Sequence, residues 1–215
     1  MKSNRTSVIT IVVALLIGAG FALAGSQGGA TIGGFPLFAL AVIAAFAIQV
    51  IAFVPAAALR TERFFDLTGS LTFIVISIAL VLLVPQIDAR GVILAAMVVL
   101  WAVRLGSFLF ARVRRAGSDS RFEQIKGSPV RFLQVWVLQG LWVSITAGAE
   151  WIAMTVVPAQ QRPLEWLGVV GIVVWVVGLT IEIVADAQKS AFRAGPANAG
   201  EFISTGLWAR SRHPN

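Results

Sequence analysis

Six apolar runs, separated by short polar or charged segments, dominate the chain. Each run is close to the roughly 20 residues that an α-helix needs to cross a bilayer. The pattern therefore predicts an all-α fold: a polytopic membrane helix bundle with six transmembrane helices. The predicted helices cover residues 8–25, 36–59, 66–84, 91–112, 131–157 and 164–185.

The first run is also compatible with a signal peptide. Lys2 and Arg5 precede it, and Ala22-Leu23-Ala24 resembles a cleavage site. Its apolar part is longer than the roughly 7 to 15 residues usual for a signal, which favours a membrane helix. Cleavage would leave the orientation of the other helices unchanged.

The Lys and Arg residues predict which helix ends face the cytoplasm. Fourteen of the 17 cations lie before the first helix, in the second and fourth loops, or after the last helix. Cytoplasmic segments of membrane proteins carry this excess of positive charge. We therefore expect both termini in the cytoplasm.

The amino-acid composition limits which classes of partner and cofactor we expect. Hydrophobic residues make up 58% of the chain and charged residues 13%, against roughly 25% in soluble domains. No cysteine and one histidine leave too few ligands for thiolate or haem centres, so no metal is expected. The net charge of +7 lies in short gaps between apolar runs, which favours anionic membrane lipids over nucleic acid as the partner.

Polar residues inside the predicted spans are candidates for function, because inserting an ionisable side chain costs about 2.5 to 3.5 kcal/mol. Arg104 lies eight residues from the cytoplasmic end of its helix. The cytoplasmic half also holds Asp66, Gln49, Gln139 and Glu182. These residues predict either a polar cavity open to the cytosol, or unrelated interface charges with one arginine–carboxylate pair that stabilises the bundle.

Two helical faces carry charge toward the cytosol. Trp101, Arg104, Phe108 and Arg115 recur at helical spacing on the fourth helix, and such a face suits a polyanion. A second face would form if the sixth helix continues past the membrane, through Glu182, Asp186, Lys189 and Arg193. A solvated salt-bridge ladder, worth about 0.2 to 0.5 kcal/mol per pair, is the alternative for the second face. Glu150 is expected at the outer interface.

Ordered motifs occupy the chain from Arg60 onward. They are residues 60–70 (RTERFFDLTGS), 100–107 (LWAVRLGS), 186–189 (DAQK), 192–193 (FR), 200–202 (GEF) and 205–215 (TGLWARSRHPN). Together they resemble the bacterial branch of the steroid 5-alpha-reductase-like superfamily, known as domain of unknown function 1295. The resemblance covers roughly Arg60 to Asn215.

The resemblance implies a reductase in which NADPH lies in a cytoplasm-facing cavity and gives hydride to an activated carbon–carbon double bond. By position it assigns Asp186, Arg193 and Asn215 to the cofactor, with Arg104 and Arg115 near its phosphates. Guanidinium groups are preferred phosphate ligands. No Gly-x-Gly-x-x-Gly turn follows a strand, which excludes a Rossmann site.

Lys189, Arg212 and His213 complete the candidate cofactor-binding residues. We expect the His213 ring to hydrogen-bond the cofactor or the backbone. Residues 186–215 would then form a cytoplasm-facing cofactor segment within a single membrane domain of residues 1–215.

Asp66 and Trp101 are the candidate catalytic residues. In the steroid reductases a carboxylate on an early helix and a tyrosine on the arginine-bearing helix polarise the substrate carbonyl. Asp66 matches the carboxylate, and a protonated Asp66 could supply a proton or bond a developing oxyanion. The chain has no tyrosine, and Trp101 stands at that position, one turn before Arg104. Gly200-Glu201 replaces a phosphate-facing Tyr-Arg pair, so the cofactor pose is expected to differ.

Two other functions stay open at this point. An S-adenosylmethionine-dependent membrane methyltransferase of the isoprenylcysteine carboxyl methyltransferase kind also contains an Arg-His-Pro-x-Tyr type segment. A non-catalytic membrane protein could retain the fold. Asp186 through Arg193, followed by Gly206-Leu207-Trp208, favours the reductase.

The resemblance also implies where the protein works and what surrounds it. We expect an apolar, lipid-like substrate and a multi-pass location in the bacterial inner membrane. It further implies at least one more membrane helix beyond Asn215.

Overall fold

The computed structural model describes residues 4–116, 120–198 and 200–215, the side chains of residues 115, 116, 120 and 121 excepted. Within these ranges the chain is helical almost throughout, which confirms the all-α prediction. The helices are α1 Asn4–Gly25, α2 Leu37–Ala58, α3 Phe65–Leu83, α4 Ala89–Ala116, α5 Ser120–Glu123, α6 Pro129–Thr146, α7 Gly148–Met154 and α8 Trp166–Ala194. Short 3-10 turns follow at Pro158–Gln160, Pro196–Asn198 and Gly206–Ala209.

Five of the described helices are long and apolar enough to cross a membrane: α1, α2, α3, α4 and α8. A sixth span results if α6 and α7 count as one bent span. The outer faces of these helices carry large apolar side chains, as contact with lipid tails requires. The chain is therefore a multi-pass membrane protein, and its orientation stays a prediction.

The predicted fifth helix, residues 131–157, is in fact two helices. α6 and α7 meet at 54° beside Ala147. The hydroxyl of Ser144 donates to the Gly140 carbonyl oxygen at 2.8 Å, a bond that often bends helices. A Cβ at Gly148 would lie 2.3 Å from the Phe21 ring, so the glycine lets α1 approach the bend.

The bend coincides with a second difference from prediction. Glu150, expected at the outer interface, is buried on α7. The Ser77 hydroxyl donates to Glu150 Oε2 at 3.4 Å and accepts from Trp151 Nε1 at 3.2 Å. Glu150 therefore belongs to a buried polar contact between α3 and α7.

The first loop contains a small hairpin that the apolar pattern did not predict. Its strands are β1 Thr31–Ile32 and β2 Phe35–Pro36, paired antiparallel. Gly33 and Gly34 form the turn with φ of +57° and +83°, the left-handed conformation that two-residue hairpin loops favour. Strands of two residues are too short to show an alternating pattern.

Contacts divide the chain into two compact units, Met1–Pro163 and Leu164–Asn215. In the first unit, α3 packs along α4, and α6 packs against α1 and α2. A Cβ at Gly106 of α4 would lie 2.7 Å from Ser70 Cβ, so these two helices are in close contact. In the second unit, α8 continues past the predicted end at residue 185, and the C-terminal segment folds onto its last turns.

Candidate functional site

An apolar groove of about 640 Å³ lies between α3, α4 and α6 in the first unit. Its volume and mostly apolar wall are typical of small-molecule sites, which measure roughly 300 to 1,000 Å³. Both candidate catalytic residues, Asp66 and Trp101, line it. The other lining residues are Phe65, Gly69, Ser70, Phe73, Leu105, Leu109, Val135, Leu138, Gln139, Leu141, Trp142, Val143, Ile145 and Thr146.

Asp66 provides the charged group of this groove. It lies in the first turn of α3, and its side chain is 14% exposed. Arg112 of α4 brings Nη2 to 3.6 Å from Asp66 Oδ2. Sequence reasoning missed Arg112 as a site residue, although it lies two helical turns beyond Arg104 and on the same face.

Trp101 forms part of the groove wall from α4. Its ring lies 5.1 Å from that of Phe73, centroid to centroid, with an interplanar angle of 77°. Such edge-to-face pairs contribute about 0.5 to 1.5 kcal/mol beyond the burial of their area. The contact holds the indole against α3, and the indole N–H is the hydrogen-bond donor that Trp101 offers.

Gln139 adds a neutral polar group from α6. Its Nε2 donates to the Phe65 carbonyl oxygen at 3.2 Å, and a Cβ at Gly69 would lie 2.3 Å from that nitrogen. Its Oε1 is buried and accepts no hydrogen bond from the residues that the structure describes. A buried polar atom without a partner costs about 1 to 3 kcal/mol, which marks Gln139 as a candidate ligand contact.

Two other members of the predicted polar cavity, Gln49 and Arg104, are not among the residues that line this groove. Gln49 is fully buried, and its Nε2 donates to Thr72 Oγ1 at 2.8 Å. The Arg104 guanidinium lies over the Phe108 ring, 5.4 Å from its centroid, on the same helix. The described lining of the groove is mostly apolar, with Asp66 and Gln139 among its polar residues. The Arg115 side chain, predicted near the phosphates, lies outside the described residues.

A second cavity, of about 650 Å³, lies within the second unit. Four candidate cofactor-binding residues line it, namely Lys189, Arg193, Arg212 and His213. The other lining residues are Phe192, Glu201, Phe202, Ile203 and Trp208. The structure therefore brings Lys189 and Arg193 of α8 together with Arg212 and His213 of the C-terminal segment.

Two hydrogen bonds and a ring contact shape this second cavity. Trp208 Nε1 donates to the Ala185 carbonyl oxygen at 3.0 Å, and the Leu207 N–H donates to Gln188 Oε1 at 2.9 Å. Lys189 Nζ lies 4.4 Å from the centroid of the Trp208 ring. The Gly206-Leu207-Trp208 motif thus fixes the C-terminal segment against the end of α8.

Asp186 and Asn215 meet although 29 positions separate them. Asn215 Nδ2 donates to Asp186 Oδ1 at 2.5 Å, and Asp186 is 5% exposed. Both were predicted to contact the cofactor. In this structure they bond each other and tie the end of the segment to α8.

Cations outnumber carboxylates in the described lining of the second cavity. Lys189, Arg193 and Arg212 line it together with one carboxylate, that of Glu201. Trp208 and the exposed Phe202 add aromatic surfaces. Guanidinium groups beside aromatic rings fit a ligand that carries both phosphates and planar rings. Phe202 and Trp208 escaped the sequence-based selection because no periodicity marks them.

A family model described as "Protein of unknown function (DUF1295)" matches residues 52–215, a range that includes every residue lining the two cavities. No curated protein and no solved structure matches the chain.

Proposed function

The chain belongs to the DUF1295 family of proteins of unknown function, and from this premise we propose that it is a membrane-embedded, NADPH-dependent reductase. The substrate is an apolar, lipid-like or steroid-like molecule with an activated carbon–carbon double bond. The resemblance to the steroid 5-alpha-reductase-like superfamily suggests the chemistry. The observation that carries the proposal is the cationic and aromatic cavity of the second unit.

That cavity suits NADPH better than S-adenosylmethionine. Three cations against one carboxylate attract the phosphates of a dinucleotide. A sulfonium ligand would instead meet like charge. Arg193 and Arg212 are the proposed phosphate ligands, and Trp208 offers a face for stacking. These side chains provide a way to bind NADPH that does not need the glycine turn of a Rossmann fold.

The groove of the first unit is the proposed substrate site. NADPH, when bound, would supply the hydride for one carbon of the double bond, and the neighbouring carbon would need a proton. Asp66, which lines the groove, is the proposed donor of that proton. Arg112 Nη2 lies 3.6 Å from Asp66 Oδ2. Trp101 N–H is the candidate donor to a substrate carbonyl.

A binding titration on the full chain in lipid nanodiscs tests this function. NADPH is expected to bind saturably, with energy transfer from tryptophan to the nicotinamide and a rise in unfolding temperature. Arg193→Gln should weaken binding about 10- to 100-fold, because it removes a charge-assisted hydrogen bond. Arg210→Gln is the matched control, because Arg210 is exposed in the same segment and does not line the cavity.

Two outcomes would replace the proposal. Saturable binding of S-adenosylmethionine without NADPH binding would assign a methyltransferase. Binding of neither cofactor would assign a non-catalytic membrane protein.

We also propose that the protein resides in the bacterial inner membrane, with its basic segments at the cytoplasmic face. The proposal follows from the positive charge of those segments and from the five to six apolar spans.

A further inference from the structure

A third, smaller cavity of about 250 Å³ lies near the end of α4. Its described lining is Arg63, Phe110, Val113 and Arg114. Arg63 lies in the loop before α3, and Arg114 lies in the last turn of α4. Two separate segments therefore each contribute an arginine to the lining of one cavity. Neither cavity of the proposed reductase site includes these residues.

The depth of this cavity is informative. The fourth apolar run of the sequence is predicted to end at residue 112, and Arg114 follows two residues later. The arginine is therefore expected at the level of the lipid headgroups. Phe110 and Val113, one turn or less before it, form the apolar part of the wall. The described lining of the cavity therefore combines two arginines with two apolar residues.

Charge and size restrict what can occupy it. Residues 112–131 contain six cations against Asp119 and Glu123, and the charge pattern predicts this end of α4 in the cytoplasm. The volume lies below the roughly 300 Å³ at which sites for whole small molecules begin. Guanidinium groups form paired hydrogen bonds with phosphate oxygens.

We propose that this cavity binds the phosphodiester headgroup of an anionic phospholipid. Arg63 and Arg114 hold the phosphate, and Phe110 and Val113 contact the glycerol and the first methylene groups. The site does not depend on the reductase activity.

Lipid binding to the delipidated full chain, followed by native mass spectrometry, tests this proposal. The probes are phosphatidylglycerol, phosphatidylcholine and water-soluble glycerol phosphate. We expect phosphatidylglycerol to bind more tightly than phosphatidylcholine. The double variant Arg63→Gln/Arg114→Gln should weaken phosphatidylglycerol binding about 30-fold or more, because each substitution removes a charge-assisted hydrogen bond to the phosphate. Arg63→Lys/Arg114→Lys should lose less.

A matched double variant distinguishes lipid binding in this cavity from general attraction to surface charge. Arg5→Gln/Arg60→Gln removes the same charge from the same predicted side of the membrane but leaves the cavity lining intact. Unchanged binding in this control supports the site. An equal loss in both double variants, or equal affinity for the two lipids, would overturn it. Displacement of the lipid by glycerol phosphate at equal concentration would assign a free phosphate instead.

Discussion

Asp66 and Arg112 form the charged end of an otherwise apolar groove, and neither is fully exposed to water. The guanidinium group of Arg112 lies 3.6 Å from the carboxyl group of Asp66, the proposed proton donor. Both charges are visible in the sequence, but which arginine of α4 faces Asp66 depends on the rotation of two packed helices. Sequence spacing selected Arg104, and the structure adds Arg112.

Asp66→Asn tests the proposed proton transfer. The amide cannot release a proton at this position, so reduction of the lipid substrate should slow by about 100-fold or more. Binding of NADPH should not change. The measurement compares product formation with cofactor titration in the same preparation. Full turnover by Asp66→Asn would remove Asp66 from the chemistry.

Two glutamines give a matched pair for the groove. Gln139 lines it and Gln49 is buried elsewhere, and each has a side-chain oxygen without a partner among the described residues. Gln139→Leu should therefore change KM for the lipid substrate, whereas Gln49→Leu should lower thermal stability and leave KM unchanged. If both variants behave alike, Gln139 has a structural role only.

At the level of elements, the apolar pattern located most helices within a few residues. The predicted segment 36–59 became α2 Leu37–Ala58, and 66–84 became α3 Phe65–Leu83. A bilayer imposes both length and apolarity on a span, so these ends are readable from sequence. Beside the bend, Gly148 packs against the Phe21 ring of another helix, and no local pattern records that contact.

The α3–α4 contact offers a test at the same scale. In Gly106→Ala the new Cβ would lie 2.7 Å from Ser70 Cβ, and overpacking of this kind costs about 1 to 3 kcal/mol. The unfolding temperature should fall. Gly20→Ala is the control, because no described atom lies within 4 Å of its new Cβ. Replacing a helical glycine there should leave stability unchanged or raise it. Equal effects would show that α3 and α4 are not in close contact.

The whole molecule consists of two compact units, each with a cavity of similar volume. The cationic composition of the second cavity could be expected from the sequence, since Lys189 and Arg193 lie on one face of α8. The bond between Asp186 and Asn215 could not, because it joins positions 29 residues apart. A hydrogen bond between such distant positions depends on how the C-terminal segment folds back onto α8.

The predicted orientation is testable because the chain has no native cysteine. Gln27→Cys places a thiol in the first loop, and Ser204→Cys places one in the C-terminal segment. A membrane-impermeant maleimide should label Gln27→Cys in intact cells and Ser204→Cys only after permeabilisation, since basic segments stay in the cytoplasm. The reverse labelling would invert the topology.

Hydride transfer into lipid tests the central claim most directly. Full-length protein reconstituted in vesicles of bacterial lipid extract would receive NADPH deuterated at the nicotinamide C4. The account predicts a lipid product that gains deuterium at a newly saturated carbon, with the gain abolished in Asp66→Asn and reduced in Arg193→Gln. Absence of deuterium from every lipid, in a preparation that binds NADPH saturably, would contradict the assignment as a reductase.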